Sequence, residues 1–293
     1  MVLIPCDNKV QIPDYAETES PPAYTPYDTP TQSIASSYPQ DFSSLPSPSF
    51  STASTSTYTP PVTATPNIPI SNAVSSSRSV SLSGPLKILD SVSGSSSITL
   101  YHHVTVTGPI RGSAKINLSD SVTVSGDVKA SASVTLDGGE GKGGVVIMGT
   151  VKSSASVEMR GNVYVQGDVK SSSKVLLEGV GGLVRVGGRI DASGPVTIRG
   201  AVEVGNVESS GKIVVESLEK QRIVLGKLES RGEMEIGGDV EVRSDFKANG
   251  SVKINGKLHV HGDFTVHGNV KVQTGSELTV NGRRTIHGKL ENA

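Results

Sequence analysis

Between Leu86 and Val272 one pattern recurs ten times: an apolar pair, a single apolar anchor, and a second apolar pair. The anchors are Val92, Ile110, Val128, Val151, Val169, Ile190, Val207, Leu228, Phe246 and Phe264, and each has apolar residues six and eight positions later. A fixed short period means that each unit buries its apolar face only against its neighbours, so the chain must fold as a stacked solenoid. Within each unit the alternation has period two, as in Val122-x-Val124, Val163-x-Val165 and Leu258-x-Val260. That is strand spacing, and the glycine, serine and β-branched residues that fill the segment oppose helix.

Aligned on the anchors, the repeat resolves into three strands per turn. The first carries an apolar pair, the second the anchor and the residue two places on, and the third the second pair. The position two after the anchor reads Gly94, Gly112, Ala130, Ser153, Ser171, Ala192, Ser209, Ser230, Ala248 and Val266, which predicts a crowded second side. Two before the anchor stand Gly108, Gly126, Gly149, Gly167, Gly188, Gly205, Gly226 and Gly262, a column that reads as a corner where the chain bends sharply. Anchor spacings are 18, 18, 23, 18, 21, 17, 21, 18 and 18. The three longer turns all place their extra residues at one corner, after Leu136, Leu177 and Val215, which puts every loop along a single edge of the prism. The expected fold is all-β: a single-stack, triangular parallel β-helix of about 18 residues per turn and ten to eleven turns over residues 84–293.

Residues 1–83 follow different rules. Fourteen of the 16 prolines lie at or before Pro85 and all 33 glycines at or after Gly84. Ser, Thr and Pro dominate the first part with few large aliphatics, so burial cannot offset chain entropy and a disordered tail is expected. The tail carries Lys9 and Arg78 against six acidic residues, and the repeat holds a small positive excess with signs interspersed. Neither balance suits nucleic acid, which calls for a strong or clustered basic excess. The lone Cys6 excludes an intramolecular disulfide framework and fits a reducing compartment; a lipid on it is the rarer reading. The opening apolar run is too short for a signal peptide, and no stretch approaches the roughly 18 apolar residues of a membrane span. The sequence reading is therefore a cytoplasmic protein without a transmembrane segment.

Within the tail, Pro21-Pro22-Ala23-Tyr24 resembles the ligand motif of WW domains, in which a preformed polyproline II segment docks on an aromatic groove. That resemblance implies a WW-domain partner such as a HECT-type ubiquitin ligase, contacted through Pro21, Pro22 and Tyr24. Ser20, Thr25, Thr29, Ser47, Thr59 and Thr65 each precede proline and are candidate sites for proline-directed phosphorylation, which would add about 1.5 to 2 negative charges at each.

Signatures of catalysis are missing: there is no Gly-x-Ser-x-Gly, no Walker A, no His-Glu-x-x-His and no cysteine pair. Asp137-Gly-Gly-Glu-Gly-Lys-Gly-Gly144 has the composition of a phosphate cradle but no following helix, so it reads as a turn. His259 and His261 point outward on one strand near Glu241, with Arg243 opposing metal, so they read as surface residues. No catalytic residue, cofactor or metal site is expected.

The Val-x-Val-x-Gly-x-Val turns, with Gly126-Asp-Val128 and again Gly167-Asp-Val169, resemble the bactofilin family over residues 86–290. That resemblance implies a triangular β-helix and a polymer-forming cytoskeletal scaffold, with homopolymerisation end to end. The number of turns and the long Pro-rich tail depart from the family. A monomeric β-helical adaptor that binds WW-domain proteins is the alternative. A sugar-binding or sugar-cleaving β-helix resembling pectate lyase is the third reading, opposed by outward positions that are mostly Ser, Thr, Lys and Glu scattered singly.

Overall fold

In a computed structural model, the chain divides into two units, Met1–Pro61 and Val62–Ala293. The structure describes residues 70–139, 143–218 and 221–292. The tail motif Pro21-Pro22-x-Tyr24 and the six Ser/Thr-Pro sites lie outside the described residues.

The described residues form an all-β solenoid of about 12 turns, about 18 residues each, with every strand pairing parallel. The anchors stack in direct register: Val128 pairs with Ile110 below and Val151 above, Val151 with Val169, and Phe246 with Phe264. Side chains repeat at strand period, so one apolar residue in two points inward, and Val, Ile and Leu columns on all three sides fill the interior. Phe246 and Phe264 are fully buried and stack with ring centroids 4.8 Å apart. Offset-stacked rings suit the spacing between turns.

The coil extends one turn beyond the anchors at each end, a correction to the boundary at residue 84 and to the count of ten to eleven turns. Ile70–Ser71, Val74–Ser76 and Val80–Ser83 pair with Leu86–Ile88, Val92–Gly94 and Ile98–Tyr101. These residues carry the apolar pattern in Val74, Val80 and Leu82, but in a serine-rich stretch without glycine that matches the tail in composition. At the other end Glu277–Val280, Arg284–Ile286 and Leu290–Asn292 complete the last turn, with Arg284 in the anchor column above Phe264.

One corner takes the insertions, as expected from the spacings, while the corner before the anchor is one residue shorter after Val204 and Leu225. Gly138–Gly144, Gly179–Leu183 and Ser217–Arg222 all fall between the third side and the next first side. The last turn adds Gln273–Ser276 at the same corner. Left-handed backbone gathers here too: Gly161, Gly200 and Gly238 have φ of 67°, 76° and 74°, and in two tight turns His102, His103, Asp120 and Ser121 take φ between 51° and 64°.

The glycine column before the anchors has a different cause from the one its sequence suggests. None of these glycines has positive φ. A Cβ on Gly126 would instead lie 2.6 Å from the backbone of Gly108 one turn below, and one on Gly226 would lie 1.7 Å from the carbonyl oxygen of Gly205. The corners of successive turns nest directly on one another, and only hydrogen fits between them.

Candidate functional site

The second side carries the most distinctive surface. Its inward position two after the anchor holds buried Ser153, Ser171, Ser209 and Ser230, and each hydroxyl is satisfied twice. The hydroxyls donate to the carbonyls of Ala132, Ala155, Gly194 and Gly211 in the turn below. Each oxygen also accepts the amide two residues on, from Ala155, Ser173, Gly211 and Gly232, at 3.0–3.2 Å. Serine is thus small enough for the crowded side and closes the corner that follows it.

A second ladder runs along the corner residue before the anchor. Asp127 accepts the amide of Thr150 at 2.8 Å, Asp168 that of Arg189 at 2.9 Å and Asn206 that of Lys227 at 3.0 Å. The Thr150 amide holds the Asp127 carboxyl below the usual carboxylate range, with Lys152 and Arg111 adding to the effect.

Outward, between these ladders, the residue after each anchor forms a column of charge. Arg111, Lys129, Lys152 and Lys170 stack in direct register, followed by Asp191, Glu208 and Glu229. On the other two sides, ion pairs knit adjacent turns together: Arg160 bonds Glu178 at 3.0 Å, Arg185 bonds Glu203 at 3.1 Å and Lys212 bonds Glu235 at 2.8 Å. Among the described residues, no ion pair engages Arg111, Lys129, Lys152 or Lys170. Glu229 does have cations, Lys227 at 2.8 Å and Lys247 at 3.2 Å; the Lys227 hydrogen bond lowers its carboxyl, and the same bond raises the Lys227 ammonium. A groove of about 280 Å³ lies along this side beside Lys129, Lys152, Lys170 and Asp191, and a second of about 360 Å³ begins at Ser75. Sequence reasoning found the small side but missed the charge column, because it appears only when the turns are laid in register.

The histidine pair sits on the first side. The rings of His259 and His261 stack with centroids 4.3 Å apart, and His261 Nε2 lies 2.9 Å from Glu241 Oε1. Glu241 also meets Arg222 Nη2 at 3.2 Å and Arg243 Nε at 3.9 Å. Its charge is thus already matched by cations, and among the described residues no group of three or more His, Cys, Asp or Glu has an arrangement that could hold a metal. One turn above, Thr279 pairs with His259 and Glu277 pairs with Lys257; the two share a face, and the Thr279 hydroxyl donates to Glu277 Oε1 at 3.2 Å. In the loop 137–144, Asp137 caps the amide of Gly139 at 3.0 Å, and residues 140–142 lie outside the described residues.

The last turn leaves Leu278, Val280 and Ile286 half-buried and Leu290 exposed, while the same columns one turn earlier are buried. The amides of Phe246 and Phe264 each donate upward, to Asp263 and Arg283, at 2.8 Å. Arg284, next in that column, has no strand above it among the described residues. At the other end Val74, Leu82 and Leu86 are half-buried against the core. No described helix is long and apolar enough to cross a membrane.

These features define the class: a parallel β-solenoid with ordered ladders on every side. No protein-family model matches the sequence, and neither the curated proteins nor the solved structures yield a match.

Proposed function

We propose that this chain is a non-enzymatic structural protein, a bactofilin-like scaffold that assembles end to end, with the segment before the coil recruiting partners. The observation that carries this reading is the last turn: it presents strand edges and the half-buried apolar residues Leu278, Val280 and Ile286 with no strand above them among the described residues. Unpaired strand edges over an apolar cross-section are a template for another strand layer, and the first turn of a second copy has the same three-sided cross-section. Recruitment through Pro21, Pro22 and Tyr24 rests on the motif alone.

Electron microscopy and sedimentation of the purified full chain test the assembly. Filaments are expected without nucleotide, and Leu278→Lys, which places a charge on the end face, is expected to abolish them. A wild-type protein that stays monomeric at high concentration sinks the reading.

One observation favours the alternative, a non-polymeric adaptor for WW-domain proteins. Arg284 occupies the anchor column of the last turn, with Arg283 and Lys289 beside it, and charged terminal repeats are how solenoids blunt their ends. Removing residues 1–69 separates the two readings. Assembly survives the deletion in the first, and WW-domain binding disappears with no change in association state in the second.

A further inference from the structure

Counted from Val74 to Arg284, the second side has twelve levels, and its midpoint falls between the sixth anchor, Val169, and the seventh, Ile190. The signs of the outward residues invert across that midpoint. In the column after the anchor, Lys170, Lys152 and Lys129 on one side mirror Asp191, Glu208 and Glu229 on the other. In the column before the anchor, Asp168 and Asp127 mirror Arg189 and Lys227, and the uncharged Thr150 mirrors the uncharged Asn206. Over the six central levels all five charged pairs are thus of opposite sign, in two columns at once; outside them Asp245, Asp263 and Arg283 mirror the uncharged Pro109, Ser91 and Ala73, and Arg111 mirrors Lys247.

Such a pattern is the signature of an isologous surface, in which residue i of one copy meets residue j of the other and j meets i. We propose that the second side pairs two copies of this chain antiparallel, about a twofold axis that lies along the strand direction between Lys170 and Asp191. That operation reverses the coil axis but keeps each column opposite its own kind. Lys170 of one copy then faces Asp191 of the other, Lys152 faces Glu208, Lys129 faces Glu229, Asp168 faces Arg189 and Asp127 faces Lys227.

Three further observations support a second copy as the occupant. Because the inversion centre coincides with the midpoint of the coil, the two coils overlap along their whole length. At about 4.8 Å per turn and about 16 Å of width, the contact covers roughly 900 Å² on each copy, which matches the standard size of a stable interface. Like charges stacked in direct register destabilise a sheet. The isolated coil nonetheless holds Arg111, Lys129, Lys152 and Lys170 in one such stack, and an opposing column of carboxylates relieves it. A polyanion would meet Asp191, Glu208 and Glu229 halfway along the same face, whereas a second copy reverses sign where this one does. Glu208 and Glu229 already have cations in their own chain, Arg189 at 3.5 Å and Lys227 and Lys247 at up to 3.2 Å, so the pairing extends existing networks. Arg111 faces Lys247 at the third and tenth levels; this is the one like-charge meeting, and Asp245 stands beside that lysine.

This pairing is lateral and independent of end-to-end assembly, and thiol cross-linking tells them apart. In a Cys6→Ser full-length background, Lys129→Cys with Glu229→Cys places two thiols five turns apart in one chain, about 24 Å, whereas facing sheets pack about 10 Å apart. A bis-maleimide of about 10 Å reach should give a covalent dimer, in a yield that drops several-fold in 1 M NaCl, where the Debye length is about 3 Å. The control pair Lys129→Cys with Lys253→Cys, the latter on the third side, should give none above background. In sedimentation, Lys152→Glu with Lys170→Glu should weaken the dimer at least tenfold, and adding Asp191→Lys with Glu208→Lys should restore it. A covalent yield equal to the control, or a charge swap that fails to restore association, overturns the proposal. End stacking alone cannot produce the cross-link, so filaments without it would leave the scaffold reading standing and remove this one.

Discussion

Ser230 shows what a small residue does in this fold. It is almost fully buried, donates to Gly211 at 2.8 Å and accepts from Gly232 at 3.0 Å. Ser230→Ala removes both bonds, one from the half-buried Gly211 carbonyl, which keeps the Ser209 hydroxyl at 3.3 Å, and one from the half-buried Gly232 amide, and is expected to cost about 1 kcal/mol in urea unfolding. Exposed Ser210→Ala should stay within about 0.5 kcal/mol. Asp127 contributes in a different way. Its carboxyl is depressed in the folded protein, chiefly by the Thr150 amide, so its contribution is fully present above the unfolded pKa of about 3.9 and is lost as pH falls through the lower folded value. Urea midpoints taken from pH 6 down to pH 2 should therefore fall less for Asp127→Asn, which keeps the acceptor and loses the titration, than for the wild type. The smallness of position 230 was legible in the sequence. Its hydrogen bonds were not, because they depend on which carbonyl the turn below brings underneath. The glycine column was legible in the same partial sense: the position was marked, but the cause is the backbone of the preceding turn and not a bend in its own.

At the scale of strands and corners, each type of corner does a different job. The corner before the anchors is closed by Asp and Asn side chains reaching up one level and by glycines in contact, and its length varies by a single residue only. The corner after the third side already accepts extra residues at four levels, and Gly181 there takes φ of 70°. Inserting five Gly/Ser residues between Gly181 and Gly182 should cost only about 0.6 kcal/mol, the entropic scale of a lengthened loop. The same insertion between Gly167 and Asp168 should cost several times more by breaking the Asp168–Arg189 bond and the nesting below it; thermal unfolding of both variants checks the contrast. This asymmetry could be read from the spacing of the anchors alone. The first turn could not, and in the last turn only the apolar pairs could. Val74, Val80 and Leu82 sit among serines without a glycine, and Arg284 stands where all eleven earlier levels have an aliphatic or aromatic side chain. Recognition by composition fails for the first, and recognition by hydrophobic pattern for the second, although both pair as every other turn does.

For the whole coil, contacts run only between neighbouring turns, so stability should add up level by level. Removing Glu277–Asn292 is expected to leave a folded coil whose urea m-value drops by about one twelfth, in proportion to the surface lost. A collapse of the entire structure would instead mean that the last turn acts as an indispensable cap. The nearly identical columns raise a question of addressing: a chain made of equal copies can stack one level out of place at the expense of its end contacts only. The loops between the third and first sides prevent this here. With anchor spacings of 23, 18, 21, 17 and 21 through the middle of the coil, a slip of one level would set a long turn's corner over a short one and break pairing at several levels together. Turn lengths that look like tolerated variation therefore work as a numbering of the levels, which tells each strand its place and hinders a turn from another copy from intruding.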